Sequence, residues 1–191
     1  MEIAVSVCLG LGLSATCGFR VFVPVLAASL AAHLGWVDPG PGFEWMGSLP
    51  AVAAFGAAML FELGGYLVPW IDNALDAIAT PAAVLAGILV MASMLVGLPP
   101  AVRWAVAVIA GGGAAGTVQA GTVLLRGASS VSTGGAANPA VSTGEAAASV
   151  AGSAVSLLLP VLAGVIAVLL LAFVAWRLLR RRRRLRSARP V

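Results

Sequence analysis

Residues 4 to 29 read AVSVCLGLGLSATCGFRVFVPVLAAS, and residues 105 to 130 read AVAVIAGGGAAGTVQAGTVLLRGASS. Counted from the Ile3/Trp104 pair, the 27 ungapped pairs hold eight identities, among them Gly10/Gly111, Gly12/Gly113 and Thr16/Thr117. Composition alone would give about three, so the two stretches are read as copies of one segment. Both are apolar, and both carry glycines near the middle. Paired, interrupted hydrophobic segments in corresponding positions of two halves point to a binding site inside a bilayer.

Working outward, the whole chain shares this character. Hydrophobic residues make up 61% of 191 positions and charged residues 9%, and the mean hydropathy is +1.05. A soluble domain carries about a quarter of its residues as charges, so lipid is the expected solvent. There is no lysine, and eight of the eleven arginines fall between Arg177 and Arg189. The net charge of +4 therefore belongs to one tail. An arginine cluster directly after an apolar span anchors that end in the cytoplasm and attracts anionic headgroups; no nucleic-acid partner is implied. The expected partners are the bilayer and those headgroups, with homo-oligomerisation left open. No cofactor is expected.

Six hydrophobic segments are drawn. They run from Ile3 to about Leu34, Pro50 to Val68, Pro81 to Leu98, Val102 to about Leu125, Pro139 to Leu158 and Pro160 to Leu179. The expected fold is an all-α transmembrane bundle of two three-segment pseudo-repeats, about 1–100 and 101–176, followed by the tail at 177–191. Pro50, Pro81, Pro139 and Pro160 suit first-turn positions, where a missing N–H costs nothing. Trp36, Trp45, Trp70, Trp104 and Trp176 fall at segment edges or in connectors, as an aromatic belt requires. Thirty-two residues of helix would be about 48 Å long against about 30 Å of hydrocarbon. With Gly18 and Pro24 inside it, the first segment is expected to break near Gly18-Phe19-Arg20 or to form a re-entrant hairpin, and the fourth to behave likewise. All segments spanning gives inverted repeats; two re-entrant segments give parallel ones. Either way both termini are expected in the cytoplasm. The first segment, with no basic start and no small-residue cleavage site, is expected to be retained.

The polar residues inside such a chain are the candidate site. Glu62 sits mid-segment, where a carboxylate is costly and by default functional, able to carry a proton. Arg20 is the only charge in the first segment and needs a carboxylate, carbonyls or an anion; Glu62 or an aspartate is its expected structural partner. Asp72, Asn73 and Asp76 form a hard-oxygen set for a cation or a proton relay if helical, or else interfacial caps. Gln119, Asn138 and Glu145 complete the candidates, Glu145 being the counterpart of Glu62. Ser142 and Thr143 are expected to bond back to nearby backbone, and Arg126 to snorkel at an interface. Cys8 and Cys17 read as buried, inert thiols and His33 as an interfacial side chain. No metal motif of known specificity and no nucleophile triad can be assembled, so an enzyme is not expected.

The run Cys17-Gly18-Phe19-Arg20-Val21-Phe22-Val23-Pro24, the stretch from Pro69 through Asp72-Asn73 and Asp76 to Thr80-Pro81, and Ala110-Gly111-Gly112-Gly113 with Thr133-Gly134-Gly135-Ala136-Ala137-Asn138-Pro139 resemble one bacterial family. It is the integral-membrane family of domain of unknown function 4126. The resemblance covers about residues 5–175 and implies an inner-membrane protein, without assigning an activity. Separately, Arg20-x-Phe22-x-Pro24 is similar to the arginine motif of DedA-type membrane proteins, which move lipid phosphates; the second arginine motif of that group is missing here. Three functions are therefore carried forward. The leading one is transport of a small ion or solute coupled through buried carboxylates. The others are translocation of an anionic lipid phosphate and a non-transporting structural role.

Overall fold

The computed structural model describes residues 2–65 and 69–187, with side chains given except at 69–77, 178 and 181–187. Every regular element among them is helical. We number them α1 (Ile3–Cys17), α2 (Phe22–His33), α3 (Leu49–Gly65), α4 (Pro69–Met94), α5 (Pro100–Thr133), α6 (Asn138–Leu158) and α7 (Pro160–Ser187), with a short 3₁₀ turn at Glu44–Gly47. Successive helices run in alternating directions.

The first segment is a helical hairpin. Along α1, Gly10 packs on Met91 and Met94, Ser14 donates to the carbonyl of Gly87 at 2.8 Å, and Gly12 faces Ser156 while Thr16 faces Gly152. Arg20 then reaches Ser142. The chain turns, and by Gly40 it has come back to the level of Ser93, whose carbonyl accepts the Gly40 N–H at 2.7 Å. Its two arms, about 22 and 18 Å long by rise per residue, are each shorter than a hydrocarbon core of about 30 Å. Two sequence features make the turn. The Gly18 and Phe19 N–H groups close the last turn of α1 on the carbonyls of Ala15 and Thr16. Pro24 then lies in the first turn of α2, where it blocks nothing; in an unbroken helix its ring would meet the Arg20 carbonyl. The tip also sits hard against α5. A Cβ on Gly18 would come within 2.5 Å of the Ala115 carbonyl oxygen.

The second copy folds differently. Leu125 stands where the first copy has Pro24, and α5 runs unbroken through its glycines. The backbone widens to a π-helical stretch at Ala107–Gly112, facing Gly87 and Met91 of α4. The break expected in the fourth segment is thus absent, and the repeat is not expressed as two like backbones.

Other limits also move. Residues 69–80, expected as a connector, are the first turns of α4, so Pro81 lies inside that helix. Residues 126–133, also expected as a connector, continue α5, and the real turn is Gly134 to Ala137. There Gly134 and Gly135 take φ of 63° and 89°, which other residues resist. With one hairpin and five through-running helices, Ile3 and Ser187 lie at opposite ends of the bundle.

The first arm of the hairpin is the centre of the molecule. Leu9, Leu13, Ser14 and Cys17 are buried, enclosed by α4, α5, α6 and α7. Its contact with α6 is a seam of hydroxyls: Ser149 donates to the Thr16 carbonyl at 3.3 Å, and the Thr16 and Ser153 hydroxyls are 3.4 Å apart. By contrast α7 buries only its alanine side, Ala163 and Ala167, and exposes Leu162, Ile166, Leu169 and Phe173. Two helical stretches, Pro100–Thr133 and Pro160–Arg177, are long and apolar enough to cross a membrane.

Candidate functional site

The tip of the hairpin collects the buried charges. Arg20, 1% exposed, lies in the short link between α1 and α2. Its Nη2 donates to the carbonyl oxygen of Ser142 at 2.8 Å and to the hydroxyl of the same residue. The same nitrogen is 3.4 Å from Oε2 of Glu145. Glu145 also holds Arg126, whose Nε lies 3.1 Å from both carboxylate oxygens and whose Nη2 lies 2.6 Å from Oε2. One carboxylate thus bridges two guanidiniums, all three side chains being buried. Charged groups persist in such surroundings only when paired and hydrogen-bonded like this.

Glu62 serves the same tip from the other side. Its Oε1 accepts the Val21 N–H at 2.8 Å and its Oε2 the Phe22 N–H at 2.9 Å. These are donors at the start of α2, which has no side-chain cap of its own. A carboxylate from α3 therefore caps α2 across a helix–helix interface and meets the positive end of its dipole. Among the described charges at the tip, two arginines balance two glutamates.

Two apolar clefts flank this cluster. One, of about 520 Å³, lies between α2, α3 and α4, is walled by Phe22, Phe61, Ile78 and Ala82, and has Glu62 in its lining. The other, of about 420 Å³, lies between α5, α6 and α7, is walled by Phe19, Val118, Ala148 and Leu170, and has Glu145 in its lining. It runs into a further space of about 270 Å³ lined by the same four side chains and by Gly12, Ser156 and Ala163.

Of the residues expected to form a site, Arg20, Glu62 and Glu145 come together. Gln119 is buried and its backbone abuts Gly18 at the tip. Asn138 does not join them. It is at the surface, bonded to Ser130 at 3.0 Å, and ties the end of α5 to the start of α6. Asp72, Asn73 and Asp76 sit on helical backbone in α4, but their side chains lie outside the described residues. Three expectations are corrected. Arg126 is buried in the cluster, because α5 continues for two turns beyond it and α6 folds back over it. Among the described side chains Arg20 meets Glu145 at 3.4 Å, with Glu62 turned to the α2 amides; the aspartate alternative lies outside the described residues. Ser142 receives Arg20, while Thr143 does bond back, to the Pro139 carbonyl at 2.8 Å. The signal for the Arg126–Glu145 pair was present in the chain: the two residues are nearly equidistant from Gly134-Gly135, and an antiparallel helix pair brings such positions face to face.

Elsewhere, His33 Nδ1 lies 2.8 Å from the Gly47 carbonyl in the loop beyond α2. Cys17 is buried, Cys8 is half-buried, and both are free thiols. No group of acidic, histidine or cysteine side chains that could hold a metal occurs among the described residues.

The fold and site define an all-helical protein with a helical hairpin whose charged tip is held by carboxylates from two other helices. The chain belongs to the family described as Domain of unknown function (DUF4126), whose profile matches residues 7–181. The chain matches no curated protein and no solved structure.

Proposed function

We propose that this protein is a membrane-embedded carrier whose substrate site is the charged tip of the hairpin. The observation that carries this reading is Glu145, in contact with Arg20 and Arg126 and lining one apolar cleft, with Glu62 in the lining of a second. Glu62 stands across the same turn, and each acid lines a cleft large enough for a small molecule. Buried carboxylates at such a place suit the uptake and release of a proton or cation together with a small solute.

Membrane embedding is supported by the composition, by the lipid-like exposure of α7, and by the tryptophans. Trp104 packs on Phe43 and Trp45 on Phe55 at the end where α1 begins, and Trp176 sits towards the other end. Arg180 stacks over Trp176 at 4.2 Å, so the arginine tail starts at the interface. We place that end in the cytoplasm of a bacterial inner membrane, against anionic headgroups, and the α1 end on the far side.

The test is flux in proteoliposomes of the full chain, followed with an internal pH-sensitive dye against a panel of small ions and solutes. Glu62→Gln and Glu145→Gln are expected to abolish the flux while the chain still inserts and elutes as one species. Flux that persists in both variants would end the reading.

A further inference from the structure

The two acids at the tip are partnered differently. Glu145 is held at 2.6 Å by the Arg126 guanidinium and approached by Arg20. Glu62, 7% exposed, is met by the Val21 and Phe22 amides, and among the described residues no arginine comes within ion-pair distance of it. A carboxylate has about four acceptor positions. One amide on each oxygen leaves both oxygens with capacity to face a further positive group.

The place Glu62 faces is the larger cleft, of about 520 Å³, a size that suits a drug-sized molecule. Among the described residues Glu62 is the only charge in its lining, and the walls are apolar and aromatic, with Phe22, Phe61, Ile78 and Ala82. Phe61 and Ile78 are also outer-surface residues, 81% and 59% exposed, so the cleft opens sideways between α3 and α4. Glu62 stands about 20 Å along α3 from Leu49, within the depth of a hydrocarbon core of about 30 Å. A small hydrated cation arriving there would give up its water to walls that offer no replacement. An anion would meet a like charge. An organic cation clad in apolar groups has little water to lose, dissolves in the bilayer, packs against hydrocarbon walls and is attracted by aromatic rings.

Resting on the carrier reading, we propose that its substrate is a lipophilic organic cation, which enters from the bilayer, lies in the cleft between α2, α3 and α4, and is held there by the Glu62 carboxylate. The acid selects the sign of the charge. The apolar walls select bulk over a bare ion, and the sideways opening selects a molecule that arrives through lipid.

The experiment dialyses radiolabelled tetraphenylphosphonium to equilibrium against the full chain in detergent, with empty micelles subtracted. Tetraphenylborate, which has the same phenyl groups and the opposite charge, and tetramethylammonium, which has the charge without the bulk, are the comparison probes. A single tetraphenylphosphonium per chain is expected, with either comparison probe weaker by about tenfold or more. Glu62→Gln, which keeps an acceptor for the amides and removes the charge, is expected to weaken tetraphenylphosphonium by about tenfold or more. Ala82→Phe, which fills the cleft without touching a charge, is expected to do likewise at unchanged thermal stability. Should Glu62→Gln fail to fold, Ala82→Phe and the borate comparison still decide. Equal retention of phosphonium and borate marks a cleft that takes any apolar molecule, lipid included, and overturns the proposal. Binding indifferent to Glu62→Gln or to Ala82→Phe overturns it as well. Flux of a soluble solute by a chain that never retains tetraphenylphosphonium ends this inference and leaves the carrier intact; retention without flux of any kind ends the carrier and leaves the cation site.

Discussion

Arg126 and Glu145 stand on opposite sides of the Gly134-Gly135 turn and meet with 2.6 Å between Nη2 and Oε2. Because Arg20 approaches the same oxygen, the three residues behave as a unit. Arg126→Met leaves Glu145 with a single weaker partner and is expected to cost about 3 kcal/mol or more. Adding Glu145→Met should recover only part of that loss, since Arg20 then loses its contact with the Glu145 carboxylate. Denaturant titration in detergent of the two single variants and the double variant measures this; full recovery in the double would remove Arg20 from the unit.

Glu62 makes a different prediction. Glu62→Ala strips acceptors from the Val21 and Phe22 N–H groups, each worth about 1–3 kcal/mol when buried without a partner. Glu62→Gln keeps one carbonyl acceptor and is expected to lose about half as much. Hydrogen exchange at the two amides should rise in the order wild type, Gln, Ala. Equal exchange in all three variants would mean that the tip does not depend on this cap.

Close approach at the tip sets a third expectation. Gly18→Ala pushes a methyl onto the Ala115 carbonyl and Val118 and should destabilise by about 1–3 kcal/mol. Gly56→Ala, in the middle of α3 with nothing within 4 Å, should instead stabilise by about 0.5–1 kcal/mol through backbone entropy. Thermal unfolding of the pair distinguishes a packed glycine from a merely tolerated one.

The loop after α2 is expected to respond to acid. The Glu44 carboxyl is held below the ordinary carboxylate range by its own backbone N–H and that of Gly42, with a smaller contribution from nearby Arg103. A depressed carboxylate stabilises above its unfolded value, about 4.3, and that stability is lost as pH falls through the lower folded value. Exchange at the Gly42 amide, corrected for its intrinsic rate, should therefore accelerate below about pH 4.3. The step should vanish in Glu44→Gln.

The odd count of through-running helices can be tested directly. With Cys8 and Cys17 replaced by serine, single cysteines in Asp38→Cys and Ser187→Cys chains should react with an impermeant maleimide from opposite faces of a sealed vesicle. Labelling of both from one face would return the chain to an even number of crossings.

The helical class, the break at Gly18-Phe19-Arg20 and the need of Arg20, Glu62 and Glu145 for buried polar partners were all legible in the residues, because each rests on a local cost. Pro24 cannot sit deep in a helix, and a charge in an apolar run must face something. What was not legible depends on neighbours. Proline punctuation suggested that α4 starts at Pro81, yet the helix begins at Pro69 and absorbs the lost hydrogen bond. Serine and glycine content suggested a loop at 126–133, where packing keeps α5 wound and thereby buries Arg126. The partner of Arg20 could not be named from its own segment, since it lies 125 residues away on α6. The repeat in sequence was real as a count of identities but did not predict equal folds, because the one proline that forces the first turn has leucine as its counterpart.

The widened turn at Ala107–Gly112 has a consequence for everything that follows it in α5. A π stretch carries a surplus residue, and each residue of an α-helix turns the chain by about 100°. Wound as a regular α-helix with every residue kept, α5 would carry Arg126 round by about that angle, off the acid and towards the outer surface, whereas removing one residue there, at Ile109 for instance, would let the helix wind regularly and leave Arg126 facing the acid. The alignment of the second guanidinium is thus set some fifteen positions upstream, by a local miscount in the winding of the backbone.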